Sequence, residues 1–360
     1  MTKTAVLSPT TWQLVEKMAT LFPEGIEVAG PLSDDNHYWN DYRRKSIEWE
    51  ELGLKVSLNL APYSAIDFSK YDLLIESIET FQYSRDWINH CQRLECPILL
   101  KACWTKNPLA GIPRAYLKKV KDFPVLLEMP AHAKRWKSAG FSDVNVIFNP
   151  VGDWWFANEW TGKKEQLLFV LSGVQSWRGD PSYYGLEIWK KLCDIFPNKT
   201  YHHDGHVNYK TSKEMTELFA ESRIFINLDR PYGQGERPLT LAFTEALSSG
   251  LPVVARDLKG LSYRTLIDTN GVCTNDFKAM CSFISKCLVD LDYARQCSLR
   301  SREIARNTFS NETLRPKYEE IIRRAQHIFE VKKKTSNNDN RLIKLSSIQR
   351  TGKNIKEKLH

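Results

Sequence analysis

The chain has 360 residues, 51 Lys or Arg against 43 Asp or Glu, and a formal net charge of +8; this length suits about two domains, each large enough for its own core. Residues 331 to 360 carry 9 Lys or Arg and 2 Asp or Glu, so +7 of the surplus lies there. The remainder is nearly neutral, which excludes a general nucleic-acid-binding face, because that needs basic residues clustered on a folded surface.

In chain order, Ser8-Pro9 reads as a helix start, with Trp12, Val15 and Met18 forming one apolar face that packs on the first domain. Ile26 to Pro31 is expected as the first strand, Tyr38 to Leu52 as a helix, and Lys55 to Leu60 and Tyr71 to Ile78 as strands. A helix over Arg85 to Leu94 follows, then strands over Pro97 to Trp104 and Pro124 to Glu128. Ala131 to Ala139 reads as a basic helix closed by Gly140, and Asn145 to Phe148 as the last strand of one parallel αβ domain. Past Asn149 to Phe156, the polar stretch Asn158 to Gln166 reads as a linker. A second series comprises strands over Leu167 to Ser172, Lys199 to His203 and Ile224 to Leu228, with helices over Tyr184 to Asp194 and Lys213 to Ser222. Helices over 277 to 289, 292 to 307 and 312 to 330 complete it, and 331 to 360 reads as a mobile basic tail. This tail is first a solubilising end; contact with an anionic membrane leaflet is the alternative.

The segment Glu236 to Val254 is the most informative. Pro238 suits a first helical position, Gly250 a left-handed helix end, and Val253 to Ala255 a short buried strand. The amides of Leu239, Thr240 and Leu241 are then expected at a helix start, which attracts phosphate through unpaired N–H groups and the helix dipole. Glu245 falls within two turns, placed to accept hydrogen bonds from ribose hydroxyls. Two αβ domains in tandem place a ligand cleft between them, at the carboxyl ends of the strands.

Other clusters carry less. His202, Asp204 and His206 alternate on a strand and could share one face, but they are an incomplete zinc set, so no metal is expected and His206 is read as lining the cleft. Asp290 and Asp292 read as solvated helix charges. For His132, Lys134 and Arg135 a cleft role and a solvated helix start weigh equally. The cysteines form no Cys-x-x-Cys pair, and Cys103 and Cys287 sit among apolar neighbours, as reduced core thiols do. The first 20 residues lack a signal-peptide pattern, and no run of about 18 apolar residues could span a bilayer. A cytoplasmic protein is expected, or one peripheral to the inner membrane face through its tail.

These segments resemble the GT-B glycosyltransferases, and within them the retaining family 4 enzymes. Ser172-Gly173 with Arg178-Gly179 resembles the family's strand-end phosphate loop, and Gly205-His206-Val207 the segment whose backbone meets the nucleobase. Ala220 to Ile226 resembles the helix-to-strand step before the donor loop, Thr244 to Val254 is close to the family signature, and Asn270-Gly271-Val272 is similar to the loop after it. The first domain agrees mainly at Asn149 to Phe156, which looks like the domain hinge. The resemblance implies an α/β fold of two Rossmann-like domains facing a cleft: an acceptor domain over 1–156, a nucleotide-sugar domain over 157–311, a helix over 312–330 crossing back to the first domain, and the tail over 331–360.

It further implies a hexosyltransferase-type enzyme that moves a sugar from a nucleoside-diphosphate sugar to an acceptor hydroxyl with retention, without cofactor or metal. The acceptor would be a glycan, a lipid-linked molecule or a small molecule, and surface polysaccharide synthesis is one setting. The implied donor-binding residues are Gly173, Arg178, His206, Val207, Leu239, Thr240, Leu241 and Glu245; the implied catalytic residues are Glu236, Arg237 and Arg178. Two departures stand out. The family pairs two glutamates with seven residues between them, and counting back from Glu245 reaches Arg237, with Glu236 one place too early. The phosphate-binding Arg expected after Gly173 is Val174, and the family's Lys is Arg178. The alternatives are a nucleotide-sugar-binding protein without turnover, which these departures make plausible, and a GT-B epimerase. A positive charge about 4 Å from a phosphate gives roughly 4 kcal/mol of gross attraction at an effective dielectric near 20, so Arg237 is expected to compensate for Val174. Arg237→Ala should accordingly weaken nucleoside-diphosphate binding in calorimetry; unchanged affinity would exclude the compensation.

Overall fold

A computed structural model describes residues 5–7, 12–30, 38–59, 61, 65–77, 95–102, 114–171, 185–204, 209–228, 239–257 and 263–356. The expected helix over Arg85 to Leu94 and the Ser8-Pro9 helix start lie outside them, as does Cys103.

Among the described residues, the first sheet has seven parallel strands: β1 (Ala5–Leu7), β2 (Ile26–Ala29), β3 (Val56–Asn59), β4 (Leu73–Ser77), β5 (Ile98–Ala102), β6 (Val125–Leu127) and β7 (Val144–Val146). Their order is β3-β2-β1-β4-β5-β6-β7. Helices α1 (Trp12–Ala19), α2 (Tyr38–Glu51), α3 (Arg114–Val120) and α4 (Pro130–Ser138) supply crossovers. Every residue of β4, β5 and β6 is buried, as expected of parallel strands that helices cover on both faces. Leu14, Val15, Met18 and Ala19 of α1 belong to the same core, so one helical stripe explains this docking. The true first strand is Ala5–Leu7, which lies between β2 and β4. At three residues it is too short for strand alternation to register in the sequence, and α3 was likewise unforeseen.

After α5 (Trp154–Ala157), a five-stranded parallel sheet contains β8 (Lys164–Leu171), β9 (Thr200–Asp204), β10 (Ser222–Asn227), β11 (Val253–Ala255) and β12 (Gly271–Cys273), in the order β12-β11-β10-β8-β9. Helices α6 (Leu186–Ile195), α7 (Ser212–Glu221), α8 (Leu241–Ser248), α9 (Tyr263–Leu266), α10 (Phe277–Val289) and α11 (Leu291–Phe309) accompany it. The supposed linker already contains the start of β8, where Lys164 pairs with Ser222 in register. Its charges are tolerated because this strand end is exposed, with Lys164 at 2.6 Å from Glu221 and Lys199 at 2.6 Å from Glu165.

Glycine is required at two connections. Gly250 has φ 84°, and a Cβ there would lie 2.9 Å from Ser298 Oγ and 3.0 Å from Arg302 Cδ, so it both ends α8 and admits α11. At Gly271 a Cβ would stand 2.2 Å from the Val253 carbonyl oxygen, which makes glycine the residue that lets β12 lie against β11.

The last helix, α12 (Asn311–Lys356), runs 46 residues and does not break at 330 as the tail reading anticipated. No proline or glycine falls between Pro316 and Gly352, so the docked part propagates outward at one hydrogen bond per residue. Its first half returns to the other domain: Leu314, Tyr318, Ile321, Ile322 and Ala325 join the core of the seven-stranded sheet. Arg324 Nε donates to Asp143 at 2.8 Å and Lys332 Nζ to Asp122 at 2.7 Å. Tyr318 is 1% exposed and its hydroxyl donates to the Phe148 carbonyl at 3.2 Å. Tyr318→Ala should therefore destabilise the protein by about 3–5 kcal/mol, read as a lower urea midpoint at unchanged slope.

Candidate functional site

The candidate site is built on the carboxyl ends of β10 and β11 and on α8. Thr240 has extended backbone (φ −67°, ψ 146°), and its Oγ1 accepts from the Phe243 amide at 3.3 Å. It is thus the N-cap, and α8 opens at Leu241, three residues after Pro238. A threonine whose hydroxyl accepts from the first-turn amide fixes the boundary more strongly than the preceding proline. The assignment of the Leu239 and Thr240 amides to the helix start is corrected accordingly: the first-turn amides are those of Leu241, Ala242 and the capped Phe243. Leu239 is buried before the helix. Gly173, Val174, Arg178, His206, Val207, Glu236, Arg237 and Pro238 lie outside the described residues.

Glu245 sits in the second turn of α8 and is engaged from the other domain. Lys17 Nζ of α1 donates to its Oε1 at 3.2 Å, with side-chain exposures of 4% for Lys17 and 17% for Glu245. The sequence offered no sign of this partner 228 positions away. A carboxylate has about four lone-pair positions, so the pair leaves Glu245 acceptor capacity for a ligand hydroxyl.

A second interdomain contact lies beside it. Glu48 of α2 accepts from Lys45 Nζ at 2.7 Å, from the Ser212 amide at 3.1 Å and Ser212 Oγ at 3.3 Å, and from the Tyr209 hydroxyl. The carboxylate therefore meets the N-terminus of α7, where the helix dipole favours negative charge. The Arg44 guanidinium stacks 3.7 Å above the Tyr209 ring, a cation–π contact. Tyr209 lies two positions after Val207, so this clasp is close in sequence to the segment expected at the nucleobase.

Glu16 lies between these contacts, 5% exposed, with no hydrogen-bond partner for Oε2. Burial pushes its carboxyl up to about 7; Lys45 and Lys17 draw it down, while Glu245 and Glu48 push it further up.

At the carboxyl ends of the first sheet, Glu76, Ser77 and Lys101 are fully buried. Lys101 Nζ lies 3.3 Å from Glu128, whose Oε1 accepts from Asn149 Nδ2 at 2.6 Å. A polar set thus closes that sheet toward the cleft. His132 is buried in α4, and Lys134 and Arg135 are exposed. Among the described residues no three His, Cys, Asp or Glu converge as a metal set; His202 packs on Phe169 with centroids 5.6 Å apart. Asp290 caps α11 by accepting from the Tyr293 amide at 2.8 Å, and Asp292 pairs with Arg295 at 3.5 Å, so both are helix-end charges.

No protein-family model matches the sequence, and no curated protein matches it. Solved structures do. The chain is similar to HepE of Anabaena in complex with UDP (TM-score 0.59, 13% identity, 88% of this chain and 98% of that one). It is similar to a glycosyltransferase of Rickettsia africae ESF-5 (TM-score 0.56, 15% identity, 89% and 98%). It also resembles an alpha-glucosyltransferase in complex with UDP-glucose and abasic DNA (TM-score 0.64, 10% identity, 89% and 99%). These neighbours are glycosyltransferases with two Rossmann-like domains. The chain has the GT-B fold. In GT-B terms the seven-stranded sheet is the first Rossmann-like unit and the five-stranded sheet the second, with Lys17–Glu245 and the Glu48 clasp bridging them.

Because Glu16 is raised in the folded protein from 4.5 to about 7, its contribution to stability is complete below the unfolded value and is lost as pH rises through the folded one. Between about pH 6 and pH 8 the wild type should lose on the order of 1 kcal/mol more stability than Glu16→Gln. Denaturant titrations at the two pH values check this; equal losses would exclude ionisation of Glu16.

Proposed function

We propose that the protein is a retaining glycosyltransferase that moves a hexose from a uridine diphosphate sugar to an acceptor hydroxyl. The observation that carries the proposal is the α8 unit of a GT-B fold. It has a threonine-capped helix start at the carboxyl end of a parallel sheet and an inward carboxylate, Glu245, in its second turn. The helix start supplies amides for the diphosphate, and Glu245 accepts from the ribose hydroxyls. Uridine is favoured because the HepE structures hold UDP and UDP-glucose and the alpha-glucosyltransferase structure holds UDP-glucose.

Negative charge builds on the leaving diphosphate as the sugar departs, so donors fixed around it stabilise the transition state more than the ground state. Arg178, Arg237 and the first-turn amides of α8 are assigned that role, with Glu236 facing the sugar. His206 and Val207 contact the base and Gly173 admits the phosphate. Retention follows if the departing phosphate oxygen guides the acceptor on the same face, with no protein nucleophile and no metal or other cofactor. The acceptor is read by the first domain, near the Lys101–Glu128 set, and is a glycan, a lipid-linked molecule or a small molecule, with surface polysaccharide or glycan synthesis as the setting.

Among the described residues no helix is long and apolar enough to cross a membrane. We place the enzyme in the cytoplasm, with its basic C-terminal segment as a solubilising end and contact with an anionic membrane leaflet as the alternative.

Calorimetry and thermal shift with UDP, GDP, ADP and dTDP and their sugar conjugates test the donor. A ligand at about 100 times its dissociation constant adds about 2.7 kcal/mol of stability; uridine compounds should give this shift and Glu245→Ala should abolish it. Binding by no nucleoside diphosphate would overturn the reading, and binding without sugar transfer or donor hydrolysis would identify a non-catalytic nucleotide-sugar protein.

A further inference from the structure

We propose that Arg256 binds a phosphate oxygen of the donor diphosphate, an assignment that rests on the donor reading above. Arg256 is the first residue beyond the carboxyl end of β11. Its amide donates to the Asn227 carbonyl of β10 at 3.1 Å, and its own carbonyl receives Cys273 Sγ at 3.6 Å. The backbone is thereby pinned among the ends of β10, β11 and β12, where ligands of parallel sheets bind.

The side chain is not satisfied there. Nε and Nη1 are both buried and neither has a hydrogen-bond partner. The adjacent acid does not serve: Asp257 is paired with Arg264, whose Nε donates to Oδ1 at 2.6 Å while Nη2 donates to Oδ2, and it takes no bond from Nε or Nη1 of Arg256. A buried N–H without an acceptor is a standing penalty. A ligand anion removes it. The planar fork of Arg matches phosphate oxygens in a charge-assisted pair, and the chain has Val174 where the resemblance expects a phosphate-binding arginine.

Structural and ligand-binding roles make opposite predictions for the full chain. Arg256→Met and Arg256→Lys should be compared with wild type by calorimetry with UDP, NMR titration with uridine, and thermal unfolding without ligand. Arg256→Met should weaken UDP by about thirtyfold, the range of a charge-assisted hydrogen bond, and leave uridine within about twofold because no phosphate is present. Its ligand-free melting temperature should stay level or rise, since two buried N–H groups without acceptors have been removed. Arg256→Lys should recover part of the UDP affinity by restoring charge without the fork.

Unchanged UDP binding in Arg256→Met, equal losses for UDP and uridine, or a lower ligand-free melting temperature would each overturn the assignment alone. A wild type that binds no UDP would overturn the donor reading and this assignment with it.

Discussion

Glu245 is asked to serve two partners, and that demand organises the molecule. From α8 it faces the cleft where a ribose would lie, yet its Oε1 accepts from Lys17 of the opposite domain. Burying a lysine to 4% exposure costs several kcal/mol unless a carboxylate answers it, so this pair commits α1 to the second domain. The Glu48 clasp at the start of α7 does the same a short distance away. Both contacts flank segments read as donor-binding, so the first domain helps shape a site whose backbone belongs to the second.

The rest of the fold holds those partners in place. Two parallel sheets, each covered on both faces, leave their carboxyl ends as the open edges on which polar side chains can gather. The C-terminal helix fixes the assembly from behind: leaving the second domain at Asn311, it buries Tyr318, Ile321 and Ile322 in the core of the first. The chain therefore crosses between domains twice, once at 147–163 and once at 310–311, and a double crossing restricts their relative motion more than one linker would.

Two ionisable side chains beside this cleft keep buried atoms without a partner. Glu16 keeps an unpaired buried oxygen, and Arg256 keeps two unpaired buried nitrogens. Arg223, by contrast, donates to the Gly162 and Cys287 carbonyls, and Asn270 bonds Ser301 and Leu266. Local violations of this kind are expected where function, rather than stability, selects the residue.

The sequence by itself determined the class of fold, because alternating strand and helix signals and a proline-to-glycine helix running into Val253–Ala255 are local patterns. It also placed Glu245 within two turns of the helix start and Gly250 at the helix end, both of which follow from spacing within one helix. It misplaced boundaries where local signals compete, as at Thr240 against Pro238, and it missed β1, whose three residues are too few to show a period. Only the tertiary structure decided who meets Glu245, that Glu48 accepts from the first amide of α7, and that Arg256 is left with two N–H groups without an acceptor. Those are contacts between residues up to 228 positions apart, and they depend on how two domains face each other, for which no local pattern in the chain carries a signal.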